Sequence, residues 1–255
     1  MQSLTLIANW KMHGNLAAVR SFLHTVDAGC WRLPAHISSI FCPPAAYVQA
    51  AIAARNPGSR VRIGGQSISA HAEGAHTGQI SAAMLADLGA THVLVGHSED
   101  RAARHLSDGD VAAQAAQAIQ AGLIPVICIG ESQADYDAGR TLHVLDGQLK
   151  TLAPVVQQAA ALMIAYEPIW AIGSGKTPKT AEIEAVHAHI HAFLAGSKEA
   201  RDTKVPVLYG GSVKSTNVAE ILALPSVNGA LIGSASLQAE DVVSMAHAAA
   251  GLKKT

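Results

Sequence analysis

The chain has 255 residues, 49% hydrophobic and 15% charged, which is enough apolar material for a sizeable core and too little charge for disorder. With 18 basic against 19 acidic residues the formal charge is -1, so nothing points to a nucleic-acid or membrane-surface partner. The cysteines, Cys30, Cys42 and Cys128, form no CxxC pair and read as reduced thiols of a cytoplasmic protein, with Cys128 in the core.

The first apolar run, Leu4-Thr5-Leu6-Ile7-Ala8, follows no basic region and is far too short to span a bilayer, so no signal peptide is expected. Seven more such runs lie near 37–42, 61–65, 92–96, 124–129, 161–166, 205–209 and 229–233. Helical spacing follows them, from Leu16 to Val26, Ala45 to Ala54, Val111 to Ala121, Thr141 to Val156, Thr180 to Leu194 and Ala239 to Ala250. The runs are nearly continuous in apolar residues, as strands covered on both sides must be. The alternation predicts a closed parallel (β/α)8 barrel, a single domain over 1–255. An open doubly wound sheet is the alternative, but the first turn, Asn9-Trp10-Lys11-Met12-His13-Gly14, has no GxGxxG. The longest irregular region, Gly64-Gly65 through Gly78, reads as a functional or interface loop.

In a barrel the chemistry collects at the C-terminal strand ends. The predicted ends carry Asn9 and Lys11, then Gly96-His97-Ser98-Glu99, then Glu167, then Tyr209-Gly210-Gly211-Ser212, then Gly233-Ser234. Singly, each ionisable residue has a bland reading: a solvated lysine, a structural histidine, a capping carboxylate. Gathered on one face they point to a site, because burying three such groups together is expensive. Pro168 biases Glu167 toward extended backbone. The small residues from Ala171 to Lys176-Thr177-Pro178 then read as a lid beside a base. The two glycine turns, each expected to open a helix, have phosphate-cradle geometry, with outward N–H groups and a helix dipole. Gly173-Ser174-Gly175-Lys176-Thr177 ends like a Walker A loop but has Trp170 where that pattern needs glycine. His187, His189 and His191 lack the HExxH glutamate of a metal site and read as a solvated helix face.

Asn9-Trp10-Lys11-Met12, Val95-Gly96-His97-Ser98-Glu99, Ala165 to Thr177, Tyr209-Gly210-Gly211-Ser212-Val213 and Gly233-Ser234-Ala235-Ser236-Leu237 together resemble the triosephosphate isomerase family, in order, from residue 4 to about 250. The resemblance implies interconversion of dihydroxyacetone phosphate and D-glyceraldehyde 3-phosphate through an enediol(ate), in glycolysis and gluconeogenesis, with no metal or organic cofactor. It implies Glu167 as the base, His97 as a neutral donor to the substrate oxygen, Lys11 neutralising substrate charge and Asn9 orienting it. Gly173, Ser212, Gly233 and Ser234 would bind phosphate through backbone N–H. Ser98 would hold the resting carboxylate, Glu99 would support Lys11, and Tyr209 with Ser212 would latch the lid. Another phosphosugar enzyme on the same barrel, or a non-catalytic phosphate-ligand binder, are the competing readings.

The chain departs from the family at a few positions. Ser234 stands for the usual second glycine of the strand 8 turn. Asp100 stands for the first of two arginines, leaving Arg101, while Gln79 and Leu106 replace usual acidic residues. The resemblance implies a homodimer through the loop about Gln66 to Gln79, here with a rewired polar rim. The Ser234 side chain should crowd the phosphate, so Ser234→Gly should lower KM in steady-state kinetics; an unchanged or raised KM refutes the crowding.

Overall fold

A computed structural model describes residues 3–172, 177–196 and 205–252. Eight parallel strands close into a barrel in sequence order: β1 (Leu4–Asn9), β2 (Ile37–Cys42), β3 (Val61–Gly65), β4 (His92–Val95), β5 (Ile124–Ile129), β6 (Met163–Tyr166), β7 (Val207–Tyr209) and β8 (Gly229–Ile232). The ring is sealed by β1 against β8, with Ala8 opposite Ile232. Closure leaves no exposed sheet edge and collects all C-terminal strand ends on one rim.

Alternate strand residues serve two cores. Ile7, Ile40, Leu94, Val126, Leu208 and Leu231 belong to one fully buried cluster inside the barrel, while their strand neighbours, such as Leu6, Phe41, Val93 and Ile127, pack with the helices. Both faces are therefore apolar, and this is the reason the runs do not alternate. Cys42 and Cys128 lie in the inner cluster. Burial alone pushes the Cys42 thiol up to about 12, and burial together with the Glu167 charge pushes Cys128 well above the usual thiol range, so both stay protonated and unreactive.

The helices follow the predicted positions with shifts at their ends. The first, Leu16–Cys30, is capped by Asn15, whose side chain accepts the Ala18 N–H, and runs four residues past the predicted end. The segment from Ala45 to Ala54 is a 3-10 turn, Ala45–Tyr47, leading into a helix, Val48–Ala54. In the helix Thr180–Gly196 the histidines are not a solvated face. His187 is fully buried, edge-on to Tyr166 with centroids 5.9 Å apart; His189 Nε2 lies 2.7 Å from Asp146 Oδ1 and His191 Nε2 lies 3.0 Å from Ser226 O. His187 packs onto the barrel, while His189 reaches the helix Thr141–Gln158 and His191 the turn before β8, so one imidazole packs and two bridge. Among the described residues no group of three or more His, Cys, Asp or Glu could hold a metal ion, and no helix is long and apolar enough to cross a membrane.

Leu94 projects into the barrel interior with no exposed surface. Leu94→Ala should cost about 2–5 kcal/mol, because closed strands cannot collapse onto the hole. Urea unfolding checks this; a loss well below that range would show the inner layer to be loosely packed.

Candidate active site

The C-terminal rim surrounds a cavity of about 560 Å³ whose wall includes Asn9, Lys11, His97, Ser212, Gly233 and Ser234. Strand register brings these residues together from four different strands.

Lys11 has φ 50, one of two non-glycine residues with positive φ among those described. This left-handed conformation costs energy that its surroundings must supply. Asn9 Oδ1 accepts the Lys11 N–H at 3.0 Å, and Gln66 Nε2 donates to Lys11 O at 2.8 Å and to Cys42 O at 2.9 Å. The bend turns the side chain along the cavity wall, where Nζ meets Glu99 Oε1 at 2.5 Å. At Gly233 a Cβ would sit 3.2 Å from Lys11 Cε, so a glycine there lets strand 8 approach the lysine.

His97 is the N-cap of the helix Ser98–Arg104. Its Nδ1 accepts the Glu99 N–H at 3.3 Å, which leaves the ring proton on Nε2. Nε2 lies 3.0 Å from Glu167 Oε1, at hydrogen-bond distance but off the direction that would satisfy it, and Oε1 has no aligned donor.

Glu167 follows β6, 2% exposed, and does not itself line the cavity. Its Oε2 accepts the Ser98 N–H at 2.9 Å, and its own N–H donates to Ile129 O at 2.7 Å. Two glycines make room for it. A Cβ on Gly130 would stand 1.8 Å from Glu167 O, and one on Gly210 would stand 2.9 Å from Glu167 Cγ. Burial raises the carboxyl above its ordinary range, opposed by His97, the Ser98 N–H and Lys11. A second buried acid, Glu131, accepts from Trp170 Nε1 at 2.8 Å and from Tyr166 OH at 3.1 Å. Burial raises it too.

The glycine turns form one wall. The N–H groups of Gly211, Ser212, Gly233 and Ser234 donate to no described residue, and all four residues line the cavity. Helices contribute less than expected. The turn after β7 does not open a helix, which starts at Val218, and β8 is followed by a 3-10 turn, Ser234–Leu237. That turn is held by Ser236 N–H and Oγ on Gly233 O, at 2.8 and 2.7 Å, and by Trp10 Nε1 on Ser236 O at 2.9 Å. Ser234 does not have positive φ, so its serine brings no backbone strain; what remains is side-chain crowding. Gly173 and the segment through Lys176 lie outside the described residues. Tyr209 is wholly buried, its hydroxyl without a described partner.

The strand ends thus gather Asn9, Lys11, His97, Ser98, Glu99, Glu167, Ser212, Gly233 and Ser234. Sequence reading misses the roles of Gln66, Gly130 and Glu131, and it places Gly210 in the strand 7 turn without setting it beside Glu167. The signal for Gly130 and Glu131 was their place directly after β5; Gln66 follows β3 in the same way, but nothing local tells which backbone it reaches.

The family model described as Triosephosphate isomerase matches residues 4–249. Triosephosphate isomerase of Afipia carboxidovorans is 47% identical over 243 residues, covering 95% of this chain and 96% of the relative. That of a Jannaschia species is 47% identical over 234 residues, covering 91% and 92%. The crystal structure of triosephosphate isomerase from Bartonella henselae, 35% identical, superposes with a TM-score of 0.86 over 96% of this chain and 98% of that one. The chain belongs to the triosephosphate isomerase family.

The raised Glu167 carboxyl has a consequence for stability. Its folded pKa lies above the unfolded value of about 4.3, so its contribution is complete below that value and is lost as pH rises through the folded pKa. At pH 8 the buried charge opposes folding. Glu167→Gln should therefore melt at the same or a higher temperature than the parent at pH 8, with the difference vanishing near pH 4. A lower melting temperature at pH 8 would contradict the assignment of burial as the dominant effect.

Proposed function

We propose, with membership of the triosephosphate isomerase family as the premise, that the chain is a triose-phosphate isomerase. As a single barrel domain over 1–255, it interconverts dihydroxyacetone phosphate and D-glyceraldehyde 3-phosphate through an enediol(ate). The observation that carries this reading is the meeting of Lys11, His97 and Glu167 beside a wall of N–H groups that donate to no described residue.

Glu167 is the base that moves the proton between neighbouring carbons. In the resting arrangement its carboxylate is parked on the Ser98 N–H, so it must leave that donor to reach a substrate in the cavity. Burial favours a carboxyl that both takes and returns a proton. His97 presents Nε2–H to the substrate oxygen, its tautomer set by the Glu99 N–H on Nδ1. Lys11 supplies the positive charge that offsets phosphate and enediolate, held by Glu99, and Asn9 orients it. Ser212, Gly233 and Ser234 supply phosphate donors through their backbones, joined by Gly173; Tyr209 and Ser212 hold the segment that follows Trp170. Free, buried thiols fit a cytoplasmic location.

The active form is a homodimer through the loop about Gln66 to Gln79, whose residues 71–75 are exposed. The changed rim residues are satisfied within the chain. Asp100 pairs with Arg104 and accepts Ser67 Oγ at 2.7 Å, Gln79 Oε1 accepts Ser69 Oγ at 2.5 Å, and Leu106 packs on the core. Arg101 NH1 pairs with Asp108 at 2.8 Å, and its Nε donates to Gly96 O at 2.9 Å. Lost rim ion pairs are worth about 0–1 kcal/mol each, too little to abolish an apolar contact.

A coupled assay with D-glyceraldehyde 3-phosphate should show turnover, and Glu167→Gln should lose it by about a hundredfold or more. Comparable turnover in the two refutes Glu167 as the base, and none in the parent favours a phosphate-ligand binder. Sedimentation at micromolar protein should show a dimer; an active monomer refutes the assembly.

A further inference from the structure

The segment between β7 and the helix Val218–Ala223 is irregular, so no helical ladder sets its peptide planes. One side chain ties it together. Asn217 is half-buried and off the cavity wall. Its Oδ1 accepts the Lys214 N–H at 2.8 Å and its Nδ2 donates to Ser212 O at 3.1 Å. The reverse amide orientation would oppose two donors at one end and two acceptors at the other, so the assignment is forced. Lys214 O closes the turn by accepting from Asn217 N at 3.2 Å and Val218 N at 3.0 Å.

Asn217 also stands at the N-cap of the following helix, where an asparagine ordinarily accepts a helix N–H. It makes no such bond. Its side chain turns back to the glycine turn instead. A carbonyl oxygen facing a bound phosphate would repel it; Nδ2 engages that of Ser212. Because the peptide unit is planar, holding the Ser212 carbonyl fixes the opposed N–H of Val213, and Val213 lines the cavity. The N–H groups of Gly211 and Ser212 stay uncommitted to any described residue.

We infer that Asn217 is a positioning residue for the phosphate: without touching substrate, it holds the turn from Gly211 to Lys214 so that N–H groups rather than carbonyls face the anion. This rests on the cavity being the triose-phosphate site and extends it by separating the group that shapes the cradle from those that line it.

The test titrates inorganic phosphate into the full-length parent, Asn217→Ala and Asn217→Ser, and compares kcat/KM for D-glyceraldehyde 3-phosphate with that for phosphate-free glyceraldehyde. Serine can cap the helix but is too short to span Ser212 and Lys214, so its melting temperature should match or exceed the parent's. Both variants should bind phosphate about tenfold more weakly and lose about tenfold in kcat/KM for the phosphorylated substrate. Glyceraldehyde turnover should be unchanged. Unaltered phosphate affinity, or an equal fall for both substrates, overturns the assignment. If the alanine variant does not fold, the serine variant decides by the same readouts. If the parent binds phosphate without isomerising, the isomerase reading fails while the phosphate titration still decides the role of Asn217.

Discussion

Glu167 sits 2% exposed at the end of β6, and a carboxylate there is costly to keep. The rim around it is arranged to tolerate that cost. The Ser98 N–H at the start of a helix meets one oxygen, and His97 Nε2 stands 3.0 Å from the other. Gly130 and Gly210, from the strands on either side, leave the space a methyl group would fill. The same closeness keeps the group reactive, because a desolvated carboxyl with one misaligned donor is a stronger base than a solvated one.

The positive side of the site is built under a comparable constraint. Lys11 reaches the cavity through a left-handed bend that Asn9 and Gln66 hold from two directions. The lysine therefore depends on β3, which supplies Gln66, and on Gly233 of the strand 8 turn, which yields room beside its stem. The opposite wall uses backbone rather than charge. Neither of these turns leads directly into an α-helix, so side-chain ties rather than a helical ladder hold them: Trp10 on Ser236 for one turn, Asn217 on Ser212 and Lys214 for the other. Fixed dipoles of this kind need no reorganisation when an anion arrives.

Beneath the rim, barrel closure does the positioning. An inner apolar layer fills the barrel while an outer one binds the helices, so neighbouring residues on each strand are committed to different cores. A one-residue slip in any strand would exchange the two and carry its terminal side chain out of the site.

The order of strands and helices, and the gathering of Lys11, His97 and Glu167 on one rim, were legible in the sequence, because near-continuous apolar runs and polar strand ends are local patterns. Helix ends were less so: Leu16–Cys30 runs past its apolar stripe, with Asp27 and Cys30 still buried and Asp27 accepting from Asn56 and Ser59 before β3. Only the tertiary structure decided that His187 is buried while His189 and His191 bridge to Asp146 and Ser226, that Glu131 joins Tyr166 to Trp170, and that Gly130 and Gly210 make room for Glu167. It also decided that Asn217 leaves its helix to serve the turn. Each of these depends on which distant backbone closes against which side chain. Strand closure sets that pairing in three dimensions, and local spacing carries no record of it.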